Sequence, residues 1–514
     1  MSKAVVQPFE EYQKSRIVFV QTIAELARRK QNIESLKKLD VVKLLGPLLS
    51  DPITSIKQSA ALAIGRLAKK DIDLASTVIE EKGKILGQLL DSLESNNRFN
   101  KKAACYVISS VAKHSLFLAE KVVEGGAIEF LVSCLEDYDP TVKESAAFAL
   151  GNIAKHSPQL ALKLGKKAIE CLILCLQEPE INIKRIAINT LSNIARHSLE
   201  LTNAVSSGDN LNIIIYYLVL KDTALKRQIL LCLANMAHHS SEVAFHIIGG
   251  LQSTQIEECI KNKDKTVQEN ALVLLNEIAK KKFEYATTIS SKVKFKIFID
   301  YLNYNTGESR LFGIPILSTL ASYKEMAESI IKEGGLIPLV DSLEKENNDK
   351  INSLACLAIG NLAGHSADLT NTIAAYSSLP FKLLATCIHV NFSHELKENA
   401  RFALENIIEN CTELKLLNPL LDKPEFSGID EDTYEKILVK IIRRQKEILN
   451  DNKKERKEFI KDKTLKKIIE LKKYYKSIKD ELLQFNEFYS QEIINYFSED
   501  YEQQIKEKYL SSNL

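Results

Sequence analysis

Tryptophan is absent from all 514 residues, methionine occurs three times, and only 11 prolines and 18 glycines punctuate the chain. So few breakers exclude a collagenous or low-complexity disordered chain and lean the composition toward helix. The nine cysteines never form a CxxC pair and sit mostly inside apolar runs such as "IECLILCLQ" with Cys171 and Cys175. That placement predicts buried, reduced thiols in a cytosolic setting, not disulfides or a zinc site. No apolar run approaches a membrane span, and the opening "SKAVVQPFEEYQ" lacks a signal core, so the expectation is a chain neither secreted nor membrane-spanning. Ser2 stands where myristoylation needs glycine. Neither sign of charge dominates, with 69 Lys plus Arg against 67 Asp plus Glu, so any electrostatic function must come from local patterning. There is no Walker loop, no GxGxxG after a strand, no HExxH and no nucleophile elbow. Glu178 and Glu180 fall in a turn, where a solvated loop is expected instead of a catalytic dyad. The expectation is a non-enzymatic protein that needs no cofactor, metal, small-molecule substrate, nucleic acid or membrane.

What is present is a repeat. "ALGNIAKHSPQLA" (149–161) returns as "VISSVAKHSLFLA" (107–119), "TLSNIARHSLELT" and "LAIGNLAGHSADLT". Marking the alanine two residues before the histidine gives Ala27, Ala68, Ala112, Ala154, Ala195, Ala237, Ala279, Ala321 and Ala363, with Ile408 in the equivalent place. Most intervals are 41 or 42 residues, a period of helical solenoids, in which each unit buries its apolar face only by stacking on neighbours. About ten units fill residues 5–415, leaving 416–514 as a helical, lysine-rich C-terminal region.

One unit parses into three helices. Ser157 as N-cap and Pro158 in the first turn open a short helix that ends near Gly165. A second apolar helix covers about 167–176, and "QEPE" launches a longer third through Ile183, Ala187, Thr190, Leu191 and Ile194. In the preceding unit Gly125 and Gly126 end the short helix, "AIEFLVSCL" is the second, and Asp139 with Pro140 opens the third. The fold class expected is all-α, and the three-helix period resembles the armadillo family, which implies a right-handed superhelical solenoid.

Three columns follow from the register. Two residues before each marker stand Asn152, Asn193, Asn235, Asn361 and Asn406, with Arg66, Ser110, Glu277 and Thr319 at the other positions. An amide donates and accepts, so such a column either holds the backbone of an extended peptide or bridges adjacent third helices. Eleven residues before the markers stand Arg16, Lys57, Lys101, Lys143, Lys184, Lys226, Arg310 and Lys397, alongside Gln268 and Asn352. A cation near a helix N-terminus opposes the macrodipole, so these either pair with acids of the preceding turn, such as Asp139 and Glu178, or form a stripe for an acidic partner. The histidines His114, His156, His197, His239 and His365 end the third helices, roughly 10 Å apart and too distant to share a metal. They read as punctuation, a cation at a helix C-terminus.

Within armadillo proteins, a nuclear import adaptor pairs each ladder asparagine with a tryptophan and carries a basic N-terminal arm. This chain has no tryptophan, and "MSKAVVQPFEEYQ" is not basic. A soluble adaptor for extended peptides, import-type or catenin-like, is therefore the second reading. "VQPFEEYQKSRIVFVQTIAELARRKQNIESL", "NRFNKKAACYVISSVAKHS", "CLEDYDPTVKESAAFALGNIAKHSPQLA", "CLQEPEINIKRIA" and "FYSQEIINYFSEDY" are similar to segments of the sperm-associated antigen six family, armadillo proteins of the ciliary and flagellar central apparatus. The resemblance implies a structural protein of the axonemal central pair on its C1 microtubule, needed for central-apparatus stability and motility. It implies central-apparatus partners, WD-repeat proteins among them, and tubulin, with a cytoplasmic, cytoskeletal location in the axoneme. From about 416 the likeness thins; "YEKILVKII" and "LKKIIELKKYY" suggest a degenerate terminal repeat, and Gln491 and Glu499 replace prolines of the terminal motif.

Overall fold

The computed structural model describes residues 3–80, 84–376, 378–425 and 428–451, and beyond them 459, 464–471, 474–475, 477–478 and 481. The chain divides into two compact units, Met1–Ile289 and Ser290–Leu514. The described residues form helices and turns with no strand; an isolated bridge joins His389 to Ile429.

In the first unit seven long helices, Lys3–Leu26, Thr54–Lys70, Arg98–Ala112, Pro140–Ala154, Ile181–Ala195, Thr223–His239 and Lys265–Ala279, pack each against the next. Two shorter helices separate successive members, for example Pro158–Lys163 and Gly165–Cys175. Local chemistry sets the boundaries. The Ser115, Ser157, Ser198 and Ser240 hydroxyls accept from the backbone N–H three residues on, starting the short helices. Asn97, Asp222 and Asp264 do the same for third helices, and Asp139, with Pro140 in the first turn, accepts from the Thr141 N–H two residues on. Gly126, at φ 87°, turns the chain from one short helix into the next in a backbone region closed to most side chains.

The third helices are buried on most of their circumference. Pro140–Ala154 buries Val142, Ala146, Ala147, Ala149, Leu150, Ile153 and Ala154, so a helix of small residues lies between two neighbours. At Gly151 a β-carbon would stand 2.6 Å from Thr190 Oγ1 on the next third helix, and that hydroxyl donates to the Ala147 carbonyl at 2.8 Å. Close approach of backbones is thus built into the repeat by residue size.

In the second unit Arg310–Ala321, Asp349–Ala363 and His394–Asn410 stack in the same way, preceded by Phe295–Tyr304 and interleaved with shorter helices. "YEKILVKII" lies in the helix Glu431–Asp451, burying Tyr434, Ile437, Leu438, Ile441 and Ile442 and packing on Leu379–Ile388 and His394–Asn410. Part of "LKKIIELKKYY" is the helix Thr464–Leu471 with Ile468 buried, and Tyr475 Oη donates to the Glu431 carboxylate at 2.8 Å. The terminal motif 488–501, with Gln491 and Glu499, and most of the lysine-rich stretch 452–463 lie outside the described residues. All nine cysteines are buried. No described helix is long and apolar enough to cross a membrane, and the described residues hold no metal-ligand cluster.

Candidate functional site

The cations eleven residues before the markers point into the joints between repeats. Lys101 pairs with Asp137 at 2.7 Å, Lys143 with Glu178, and Arg16 with Asp51. Arg310, only 4% exposed, donates to the Asn305 and Pro338 carbonyls at 3.0 Å and lies 3.5 Å from Glu346. Lys184, 7% exposed, donates to the Leu176 carbonyl and stands 4.5 Å from the Tyr217 ring centroid, and burial pushes its ammonium below the ordinary lysine range. Lys226 is buried; Lys57 and Lys397 are half-buried. Of the two readings, pairing with turn acids holds for Arg16, Lys101, Lys143 and Arg310, and the acids come from the turn of the following repeat. One residue further along, Arg185 and Arg227 repeat the device, pairing with Asp222 and Asp264, and hydrogen bonding holds these two carboxyls below the usual carboxylate range.

The asparagine column bridges backward. Asn152 Nδ2 donates to Ser109 Oγ at 2.9 Å and Asn235 Nδ2 to Ser192 Oγ at 3.0 Å. Asn193 reaches the Gly151 carbonyl at 3.4 Å, Asn361 the Ser318 carbonyl at 3.0 Å, and Asn406 the Gly360 carbonyl at 2.9 Å. All five are half-buried, and the amide nitrogen is the atom committed to the neighbour. The amide oxygen of Asn152 accepts from Lys155 Nζ at 3.1 Å.

The histidines act across the joint as well. Nε2 of His114, His156, His197, His239 and His365 lies 2.6 to 2.8 Å from the carbonyls of Ala68, Ala112, Ala154, Arg196 and Ala321 respectively, the C-terminal end of the preceding third helix. A carbonyl only accepts, so the ring nitrogen donates and satisfies an end carbonyl that lacks a partner in its own helix. Burial holds His156 and His197 below the ordinary imidazole range. They are neutral staples between repeats, not the cations on their own helix dipole that the register predicts. Lys70 and Lys281, in the same slot, reach the Arg28 and His238 carbonyls.

The joints from Arg98–Ala112 to Thr223–His239 are therefore latched at both ends of the third helices. One residue after the markers stand Lys69, Lys113, Lys155 and Arg196. Among the described residues no carboxylate pairs with any of the four. Burial first, then Lys69, depresses Lys113; burial first, then Lys113 and Arg196, depresses Lys155. The row is closed on either side by acid: Glu25 lies 3.9 Å from Arg66, and Glu277 binds both His238 at 2.7 Å and Lys280 at 2.9 Å. Beside it lie Tyr106, whose ring centroid is 6.0 Å from Lys69 Nζ, and Phe148, 51% exposed.

Sperm-associated antigen 6 of Mus musculus is 56% identical over 102 residues, and that of Homo sapiens 54% over the same length. Over that stretch this chain is similar to sperm-associated antigen 6. The match spans 20% of this chain and 20% of each of these curated relatives, and it supports the family resemblance carried by the motifs quoted above. No family model matches. Among solved structures, an engineered protein is similar with a TM-score of 0.69 at 21% identity, over 76% of this chain and 94% of its own, a likeness of fold. A designed armadillo repeat protein gives 0.43 at 21% identity, over 46% of this chain and 98% of its own.

Proposed function

We propose that this repeat protein is a non-enzymatic scaffold of the ciliary or flagellar axoneme, held at the C1 microtubule of the central pair and supporting central-apparatus stability and motility. The observation that carries the reading is the stack of third helices, each packed against the next and hydrogen-bonded to it, which repeats the same surface positions along the array. Such a row offers many equivalent weak contacts, and contacts in series on one partner multiply into avidity. The likeness to sperm-associated antigen 6 supports the axonemal address. Central-apparatus proteins, WD-repeat proteins among them, and tubulin are the proposed partners. The inward-turned cations Lys101, Lys143 and Lys184 belong to the joints, so contact with tubulin falls to other surface residues. Expression of the tagged full chain in flagellated cells tests the reading. Axonemal signal that survives detergent extraction, with loss of the central pair on deletion, is the expected result; a diffuse nucleocytoplasmic distribution with an intact central pair overturns it.

A further inference from the structure

We propose that the open side of Lys3–Leu26, the first helix of the stack, is a docking site for an α-helix of a partner protein that sets glycine or another small residue against Thr22. The proposal stands on the packing of the first unit and not on the axonemal address. In the six third helices that follow in that unit, the residue just before the marker, Leu67, Val111, Ile153, Ile194, Met236 or Ile278, is at most 1% exposed. Eight residues before the marker, alanine stands in five of the six and is wholly buried. In Lys3–Leu26 the same two positions hold Leu26, 40% exposed, and Phe19, 36% exposed. Tyr12, exposed as well, lies seven residues before Phe19 as Phe19 lies seven before Leu26, so the three share one side of the helix. A helix that ends a repeat array ordinarily turns a polar side to water, and an apolar one marks a surface that a further element covers.

The joints inside the stack identify that element, because the open side of Lys3–Leu26 continues them by one helix. Five residues before the markers stand Val107 and Thr190, and the preceding third helix meets them with Gly65 and Gly151, where a β-carbon would come within 3.4 Å and 2.6 Å. Thr22 holds the same position in Lys3–Leu26 and is exposed. The Thr190 hydroxyl donates to the Ala147 carbonyl at 2.8 Å. A helix with glycine over Thr22 brings its backbone equally close and offers the Thr22 hydroxyl a carbonyl in the same way, while Tyr12, Phe19 and Leu26 pack along its side. The last third helix of a second copy does not fit this description. His394–Asn410 carries Arg401 and Glu405 where Pro140–Ala154 has Ala147 and Gly151, so its corresponding side is bulky and charged.

The test uses the full chain and a fluorescein-labelled, helix-braced synthetic copy of residues 140–154, the sequence that covers Thr190 in the stack. The same peptide with Gly151→Leu is the comparison probe. We expect the glycine peptide to bind at least about ten-fold more tightly than the leucine one, since added bulk at this contact forces the helices apart. The chain variant Phe19→Glu with Leu26→Glu is expected to lose the peptide, and Thr22→Val to weaken it several-fold. Equal binding of the two peptides, unchanged affinity in the double variant, or binding of neither peptide overturns the proposal. Sedimentation equilibrium separates the remaining occupant: self-association of the parent chain that Phe19→Glu with Leu26→Glu abolishes gives the face to a second copy and also overturns the proposal. Circular dichroism confirms that the double variant folds, and should it not, Phe19→Ser alone is expected to weaken the glycine peptide in the same titration. Loss of the peptide site leaves the axonemal reading untouched, and a chain that never reaches the axoneme yet binds the glycine peptide leaves the docking site standing.

Discussion

At His156 and His197 the ring is a neutral donor half-withdrawn from water, and that has a consequence in pH. Both imidazoles hold a proton less readily in the folded chain than at the ordinary value of 6.5. Below about 6.5 the unfolded chain therefore binds more protons than the folded one, and stability falls as pH falls. Thermal melting of the parent is expected to decline between about pH 7.5 and pH 5, and His156→Gln with His197→Gln is expected to flatten that decline while lowering stability near neutrality by roughly 1 kcal/mol per lost bond. The recurrence of these histidines was plain in the sequence, and so was their place at a helix end. Which carbonyl they serve was not, because the register says how far apart residues lie along the chain and nothing of how far one helix slides past another.

Whole helices show the same division. Ser157 with Pro158 and Asp139 with Pro140 mark helix starts by local chemistry alone, and the structure puts both starts where the sequence does. The close contact at Gly151 is different in kind, since it depends on Thr190 arriving from 39 residues away. Gly151→Val is expected to displace Thr190, break its bond to the Ala147 carbonyl and cost about 1–3 kcal/mol, measured as a lower denaturation midpoint. Arg16, Lys101, Lys143 and Arg310, eleven residues before the markers, meet acids of the next turn over, a pairing that the helix register alone does not fix. That Lys113, Lys155 and Arg196 have no carboxylate partner among the described residues is not legible in the sequence, because pairing is a property of the stack.

In a chain whose units touch mainly their neighbours, damage at one joint spreads by proximity. Hydrogen exchange in Gly151→Val is expected to quicken most in Arg98–Ala112 and Ile181–Ala195 and progressively less toward Thr54–Lys70, whereas uniform quickening across the first unit would mean it opens as one block. The joints carry donors in both directions. At the C-terminal ends of the third helices, Asn193, Asn361, Asn406 and the five column histidines donate from the later repeat to backbone carbonyls of the earlier one. At the other end Arg16, Lys101, Lys143 and Arg310 reach forward to acids of the repeat that follows. A repeat taken out of the row therefore leaves unmatched groups on both of its neighbours, donors on one side and acceptors on the other.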